Sequence, residues 1–237
     1  MTCKDILILL LFICFFIPVK GQDKGKKFEP EWNVGVGFGP TFSTIDFEKA
    51  KGGASLSTKN TQQFAGGLAL RYLSEKNLGF IVELNYSQQG WEQDFSKEPE
   101  QSQYAHTHKL SYLELPVLTH IYFGRKLRFV FNLGPKLSYL ISESEEMNKE
   151  LSDYLSSGNM GPGFVTHQYY RNADRKIDYG LMGGLGLELR TGIGNFMLEG
   201  RYTFGLGDIY SNSKSDYFPR SANRVISAKL TYYIKLF

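Results

Sequence analysis

The most constraining feature of this 237-residue chain is an alternation of apolar and polar residues with a period of two, repeated in eight segments. The segments are roughly 32–42, 62–73, 78–91, 108–123, 127–141, 175–190, 195–207 and 223–236. In the fifth, Leu127, Phe129, Phe131, Leu133, Leu137, Tyr139 and Ile141 share one face, and Arg128, Asn132, Lys136 and Ser138 share the other. In the sixth, Leu181, Leu185, Leu187 and Leu189 oppose Lys176, Asp178, Glu188 and Arg190. Side chains of a strand point alternately to its two faces, so each segment predicts a strand between one apolar and one polar environment.

The connections alternate as well. Three are short and turn-like, at 74–77, 124–126 and 191–194. Four are long, at about 43–61, 92–107, 142–174 and 208–222. Long connections therefore lie at one end of the sheet, and short turns and both chain ends at the other, as in barrels that cross an outer membrane. Hydrocarbon cannot pair free backbone N–H and C=O groups, so such a sheet must close, and eight strands can close without an edge. The expected fold is all-β: an eight-stranded antiparallel up-and-down transmembrane β-barrel, with a short helix in the longest extracellular loop. That helix is expected within 142–157, from a capping box of Ser142 and Glu145, apolar residues Met147, Leu151, Tyr154 and Leu155 at helical spacing, and Gly158 as the stop. Pro162, between two glycines, predicts an irregular turn in the same loop.

Residues 1–21 read as a cleaved signal peptide: Lys4, then the apolar run Ile6–Val19, then Val19-Lys20-Gly21 before Gln22. The run is too short for a transmembrane helix, which needs about 20 residues. Residues 22–31 read as a flexible periplasmic leader and 32–237 as the barrel domain. Both cysteines, Cys3 and Cys14, fall in the signal peptide, so the mature chain is expected to have neither a disulfide nor a thiolate site. A formal net charge of +3 is too small for a nucleic-acid binder.

The faces assign candidate residues. Arg71, Glu83, Glu114, Arg128, Lys136, Asp178, Glu188, Arg190, Glu199 and Arg201 are expected to form a luminal charge network, with Lys176, Lys229 and Lys235 on the same face. An eight-stranded interior is just wide enough for side chains, which favours paired charges over an open pore. Gly35, Gly37, Gly39, Gly67, Gly184 and Gly186 fall on this face and leave room for the long charged chains. Leu113, Leu115, Phe129, Phe131, Leu133, Leu185, Leu187, Leu198, Phe204 and Leu230 are expected to face lipid. Trp32, Phe42, Tyr72, Tyr86, Tyr122, Phe123, Tyr139, Tyr179, Phe196 and Tyr232 cluster near strand ends, as interfacial girdles do.

His106-x-His108 has the spacing of half a metal site, but no third ligand stands in fixed relation to it, and two solvated histidines are the simpler reading. Ser102, His106, His108 and His167 with the loop acids supply the parts of a rim-located hydrolase site, a supply too ordinary to identify one.

Three segments carry a family resemblance. Leu110–Leu118 (LSYLELPVL), Leu133-Gly134-Pro135 and Gly35–Ser43 (GVGFGPTFS) resemble the PorT-like small outer-membrane β-barrel family of Bacteroidetes. The resemblance implies an outer-membrane barrel, and for the founding member an association with type IX secretion. The chain departs from the usual C-terminal assembly signal: Phe237 is in phase with Lys235 and Lys229, whereas Ile226, Leu230, Tyr232, Ile234 and Leu236 form the apolar face.

The functional expectation is an outer-membrane structural or interaction barrel in the Gram-negative envelope. It would be a monomer without enzymatic activity, cofactor, metal or open pore, in contact with lipid and with a protein of the secretion or envelope machinery. Two alternatives compete with it. One is an outer-membrane hydrolase of lipid or peptide. The other is a soluble periplasmic lipocalin-like barrel, in which the faces reverse and the apolar side encloses a ligand.

Overall fold

A computed structural model describes residues 28–48, 56–96, 99–161, 164–211 and 217–236. The expected signal peptide, most of the leader, Pro162 and Phe237 lie outside the described residues.

Among the described residues there are nine strands and one α-helix: β1 (Glu31–Glu48), β2 (Thr58–Lys59), β3 (Thr61–Glu75), β4 (Leu78–Gln93), β5 (His106–Gly124), β6 (Leu127–Met147), α1 (Lys149–Ser157), β7 (Ile177–Thr191), β8 (Gly194–Gly205) and β9 (Arg220–Lys235). The eight long strands pair in the ring β1–β3–β4–β5–β6–β7–β8–β9 and back to β1, antiparallel throughout. The two-residue β2 only extends the wall beside β4. All eight expected strands are found, and the ring has no free edge.

The short turns are tight because their residues suit them. Asn77 sits between β3 and β4 at φ 78°, a left-handed conformation that asparagine tolerates. Its side-chain amide donates to the Tyr122 carbonyl at 2.6 Å, tying this turn to the end of β5.

The strands outrun the expectation at the opposite end. β5 has 19 residues and β6 has 21, whereas a tilted strand needs about 9–11 to cross a membrane. Much of what reads as loop is wall. Outward positions there are polar and ion-paired: Lys109 with Glu146 at 2.6 Å, Lys59 with Glu92 at 2.8 Å, and Arg224 with Asp46 at 2.9 Å. These pairs stand above the apolar band.

The helix forms later than expected. Residues 142–147 continue β6, and Asn148 is the N-cap, its side-chain oxygen accepting from the Leu151 N–H. Ser142 therefore does not cap a helix. An asparagine N-cap satisfies one of the first free N–H groups as well as a serine does, and this one also accepts from the Ala105 N–H at 3.0 Å, binding the helix start to β5. Gly158 ends the helix in the left-handed conformation, as expected. Leu151 is its buried anchor.

Candidate functional site: outer band, filled lumen and capped mouth

The ten residues assigned to the lipid face all point outward and are exposed, from Phe204 at 38% to Leu185 at 67%. They belong to a continuous band with Val34, Val36, Phe38, Leu68, Leu70, Val82 and Leu84. Aromatic rings border it. Trp32 packs on Tyr72 at 4.6 Å and Phe196 on Tyr232 at 4.8 Å at the short-turn end, while Phe42, Tyr86, Tyr139 and Tyr179 stand exposed toward the loops. Tyr122 departs from the girdle expectation. It is buried in the lumen, with the Arg128 guanidinium 4.2 Å from its ring centre. Its even number places it on the inward phase of β5, with Leu118 and His120, so proximity to a strand end was a misleading signal.

Nine of the ten expected luminal charges are buried inside: Arg71, Glu83, Glu114, Arg128, Lys136, Asp178, Glu188, Glu199 and Arg201. Eight of them form three ion-paired groups, and Asp178 stands apart from these. Nearest the short turns, Glu188 accepts from Arg71 at 2.6 Å and from Arg128 at 3.4 Å. At mid-height, Glu83 takes a bidentate contact from Arg201 (2.7 and 2.8 Å) and a third from Lys229 at 2.8 Å, while Arg201 also reaches Glu199 at 2.7 Å. Toward the loops, Glu114 accepts from Lys136 at 2.7 Å and from Gln89 at 2.5 Å, and Asp178 accepts from Asn223 at 3.0 Å. His120 and Asn132 extend the second group: His120 Nδ1 lies 2.7 Å from the Asn132 side-chain oxygen, and Asn132 donates to Glu199 at 2.7 Å. Buried charges are tolerable only when paired and hydrogen-bonded in this way.

Three expected members stand elsewhere. Arg190 is half-buried at the short-turn end and pairs with Glu31 at 3.2 Å. Lys235 is exposed and lies 3.7 Å from the same Glu31. Lys176 is exposed at the opposite rim. All three follow the alternation but lie beyond the enclosed part of the barrel, where a side chain can reach water. Glycine makes the packing possible: a Cβ at Gly184 would overlap the Glu199 carboxylate, and one at Gly37 would overlap the Lys229 chain.

The luminal cavity bounded by Asn85, Gln89, Glu114, Arg201 and Lys229 holds about 30 Å3, room for only a few waters. We expect Glu114→Gln to leave membrane insertion intact, since the amide still accepts from Gln89 and Lys136. Its expected effect is a lower unfolding temperature from one unbalanced cation, read as the temperature at which folded gel mobility is lost.

The mouth is closed by a second, apolar layer. Val165, Ile209, Tyr210 and Phe218 from the loops pack onto Ile45, Trp91, Leu110, Tyr112 and Leu140 of the wall. Beside it, Phe95, Leu151 and Tyr169 bury one another under Tyr104, Leu155 and Phe164.

A β-bulge makes a further contact possible. Ser111 faces Ser142 and Tyr112 faces Leu140, so Ile141 is the extra residue and the phase of β6 inverts beyond it. Glu143 and Glu145 thereby turn inward. His106 contacts Glu145 at 2.7 Å and His108 contacts Glu143 at 3.4 Å. Each carboxylate also accepts a loop amide: Tyr170 N–H to Glu145 and Ala173 N–H to Glu143, both at 2.9 Å. Two histidine–glutamate rungs thus clasp the segment 170–173 to the wall. The histidines are not solvated, as the simpler sequence reading had them, but buried at 0% and 2% around Trp91. The legible clue was two i, i+2 pairs, His106/His108 and Glu143/Glu145, on segments that had to neighbour each other. Among the described residues no three His, Cys, Asp or Glu groups converge as a metal site requires. Ser102 is exposed in the β4–β5 loop, and His167 stacks on Tyr217 at 4.1 Å.

His106 stands above the apolar band. Burial, and after it the neighbouring His108, pushes its imidazole down to about 4, so at neutral pH an uncharged ring donates its Nε2–H to Glu145. The folded value lies below the ordinary 6.5, so this contribution is fully present above about pH 6.5 and is lost as pH falls toward 4. Burial raises the Glu145 carboxyl, an effect of opposite sign that persists without the histidine. The expected result is that protection of the Tyr170 and Ala173 amides from hydrogen exchange, corrected for intrinsic rate, declines on acidification in the parent and declines less in His106→Phe.

A closed antiparallel ring with an apolar exterior and an ionic interior is a barrel of the outer-membrane type. Residues 21–211 match the family model of the outer membrane protein beta-barrel domain, and the chain belongs to that family. Its location is accordingly the outer membrane, in contact with lipid. Among solved structures, it is similar to Ail, the attachment invasion locus protein of Yersinia pestis, at 12% identity and TM-score 0.41, covering 86% of this chain and 99% of that one. It is also similar to AlkL in lipid bilayers (12%, TM-score 0.43, 92% and 97%) and to Outer Membrane Protein W of E. coli (14%, TM-score 0.36, 88% and 100%). The search of curated proteins found no match. The lipocalin-like alternative required the apolar face inside, and the exposed band excludes it.

Proposed function

We propose that this protein is a sealed, non-catalytic outer-membrane barrel that works by contact, presenting its clasped loop surface to a protein of the secretion or surface-assembly machinery. The observation that carries this reading is the filled interior: ionic groups occupy the lumen and an apolar layer closes its outer mouth, which leaves the loops as the part able to act. Tyr170 supports it. This non-glycine residue adopts φ 56°, is 70% exposed, and is held there through its N–H by Glu145. Backbone strain that the surroundings maintain is characteristic of functional positions. The resemblance of Leu110–Leu118 and Leu133–Pro135 to the PorT-like family of Bacteroidetes supports the link to secretion. In the same reading the chain is exported through a cleaved signal peptide spanning residues 1–21 and acts as a monomer.

A photo-crosslinking residue at position 170, used in living cells with a deletion strain alongside, tests this. The expected result is a discrete crosslinked protein together with loss of secreted or surface-displayed proteins on deletion. An unchanged set of secreted and surface proteins in the deletion strain would overturn the reading.

A further inference from the structure

The outward band is not uniformly smooth. A groove enclosing about 290 Å3 crosses it over β4–β7, with Leu84, Leu113, Leu115, Leu137, Tyr139 and Ile177 as its walls and Glu114 and Ser138 at its floor. The sequence explains where it forms. Pro116 has no N–H to give a neighbouring strand, and the otherwise unshifted β4–β5 register lacks the pairs Glu83–Pro116 and Leu84–Leu115. Glu114 and Ser138 are on the inward phase of their strands, so a groove floored by them reaches the level of the strand backbone. Glu114 lines both this groove and the small luminal cavity, so the wall between them is one residue thick.

We propose that the groove is a fixed seat for one acyl chain of an outer-membrane lipid. This rests on the reading that the band lies in lipid. The occupant follows from the position and the lining. The groove is continuous with the band, so hydrocarbon is what reaches it. Its walls are five aliphatic side chains and a tyrosine ring. Tyr139 belongs to the loop-side aromatic border, so a chain descending from that interface enters at the tyrosine and runs between Leu113 and Leu137. Apolar burial gives no advantage over the surrounding lipid, because both environments are hydrocarbon. The advantage is contact: a chain in the groove touches protein on three sides, and close packing of many weak contacts favours it over a chain on the smooth band.

The test uses the full-length protein in vesicles of phosphatidylethanolamine and phosphatidylglycerol, with a small share of phosphatidylethanolamine carrying a photoactivatable diazirine in one acyl chain. Labelled residues are mapped by mass spectrometry. Labels concentrated on Leu84, Leu113, Leu115 and Leu137 relative to Leu185, Leu187 and Leu198 support the seat, and Leu115→Trp, which fills the groove, should abolish the concentration. Even labelling around the band would overturn the proposal, leaving ordinary lipid contact. An unlabelled band would overturn instead the reading that it lies in lipid. If Leu115→Trp does not assemble, the map of the parent protein still decides.

Discussion

Leu133→Arg should keep the protein out of the outer membrane. Leu133 lies mid-strand on β6 with its side chain outward and half-exposed, between Phe131 and the Leu137–Tyr139 stretch. Nothing outward on the adjoining strands offers a carboxylate: the register sets Leu133 against Thr119 on β5 and Gly183 on β7. A guanidinium there must stay in hydrocarbon or draw water down the wall. Arginine near the midplane of a lipid-facing strand costs about 2–4 kcal/mol, a loss of roughly thirty- to several-hundred-fold in the insertion equilibrium. Quantifying the protein in washed outer membranes checks this. The conservative Leu133→Phe should insert as the parent does. Equal recovery of the arginine variant would mean that this face does not meet lipid.

The second large effect is expected inside the barrel. Glu83 is the anion on which Arg201 and Lys229 converge, and the Asn85 amide also donates to it at 2.9 Å. Glu83→Ala would leave Lys229 without a carboxylate and Arg201 with Glu199 alone. Removing one partner of a buried ion pair costs about 3–5 kcal/mol, because the abandoned charge stays out of water. The folded, fast-migrating gel form should therefore be lost at a markedly lower temperature. Glu83→Ala with Lys229→Met should recover part of the loss, since Arg201 and Glu199 remain a balanced pair. A double variant no better than the single one would show that Glu83 matters through its shape rather than its charge.

The fold was legible in the sequence because a membrane barrel obeys one strong rule. Every strand meets lipid on one side and a narrow lumen on the other, so alternation at positions such as Phe129, Phe131 and Leu133 assigns the faces without knowledge of partners. The same rule located Arg71, Glu83 and Arg201 inside, yet not their pairing, which depends on register across strands far apart in sequence. What stayed hidden lies above the membrane. There the rule lapses, since outward residues meet water and inward ones meet loops. The strand at 142–147 reads as Ser-Glu-Ser-Glu-Glu-Met, with no apolar face to betray it, and the inserted Ile141 reverses the phase just before. Helical spacing over 147–155 was real, but Met147 ended a strand and Asn148 supplied the cap. Tyr122 misled for a related reason: an aromatic ring near a strand end suits a girdle, and only its phase revealed that it stacks on Arg128 inside.

In the proposed function the barrel spans the membrane without a conducting path. Ionic current through a planar bilayer containing the purified, folded protein measures such a path. The ion-paired lumen and the apolar layer of Trp91, Tyr112, Ile209, Tyr210 and Phe218 above it predict a current indistinguishable from that of the bare bilayer. Stable, repeated conductance steps that scale with salt would overturn the sealed barrel, and would make the interior, rather than the loops, the place where this protein works.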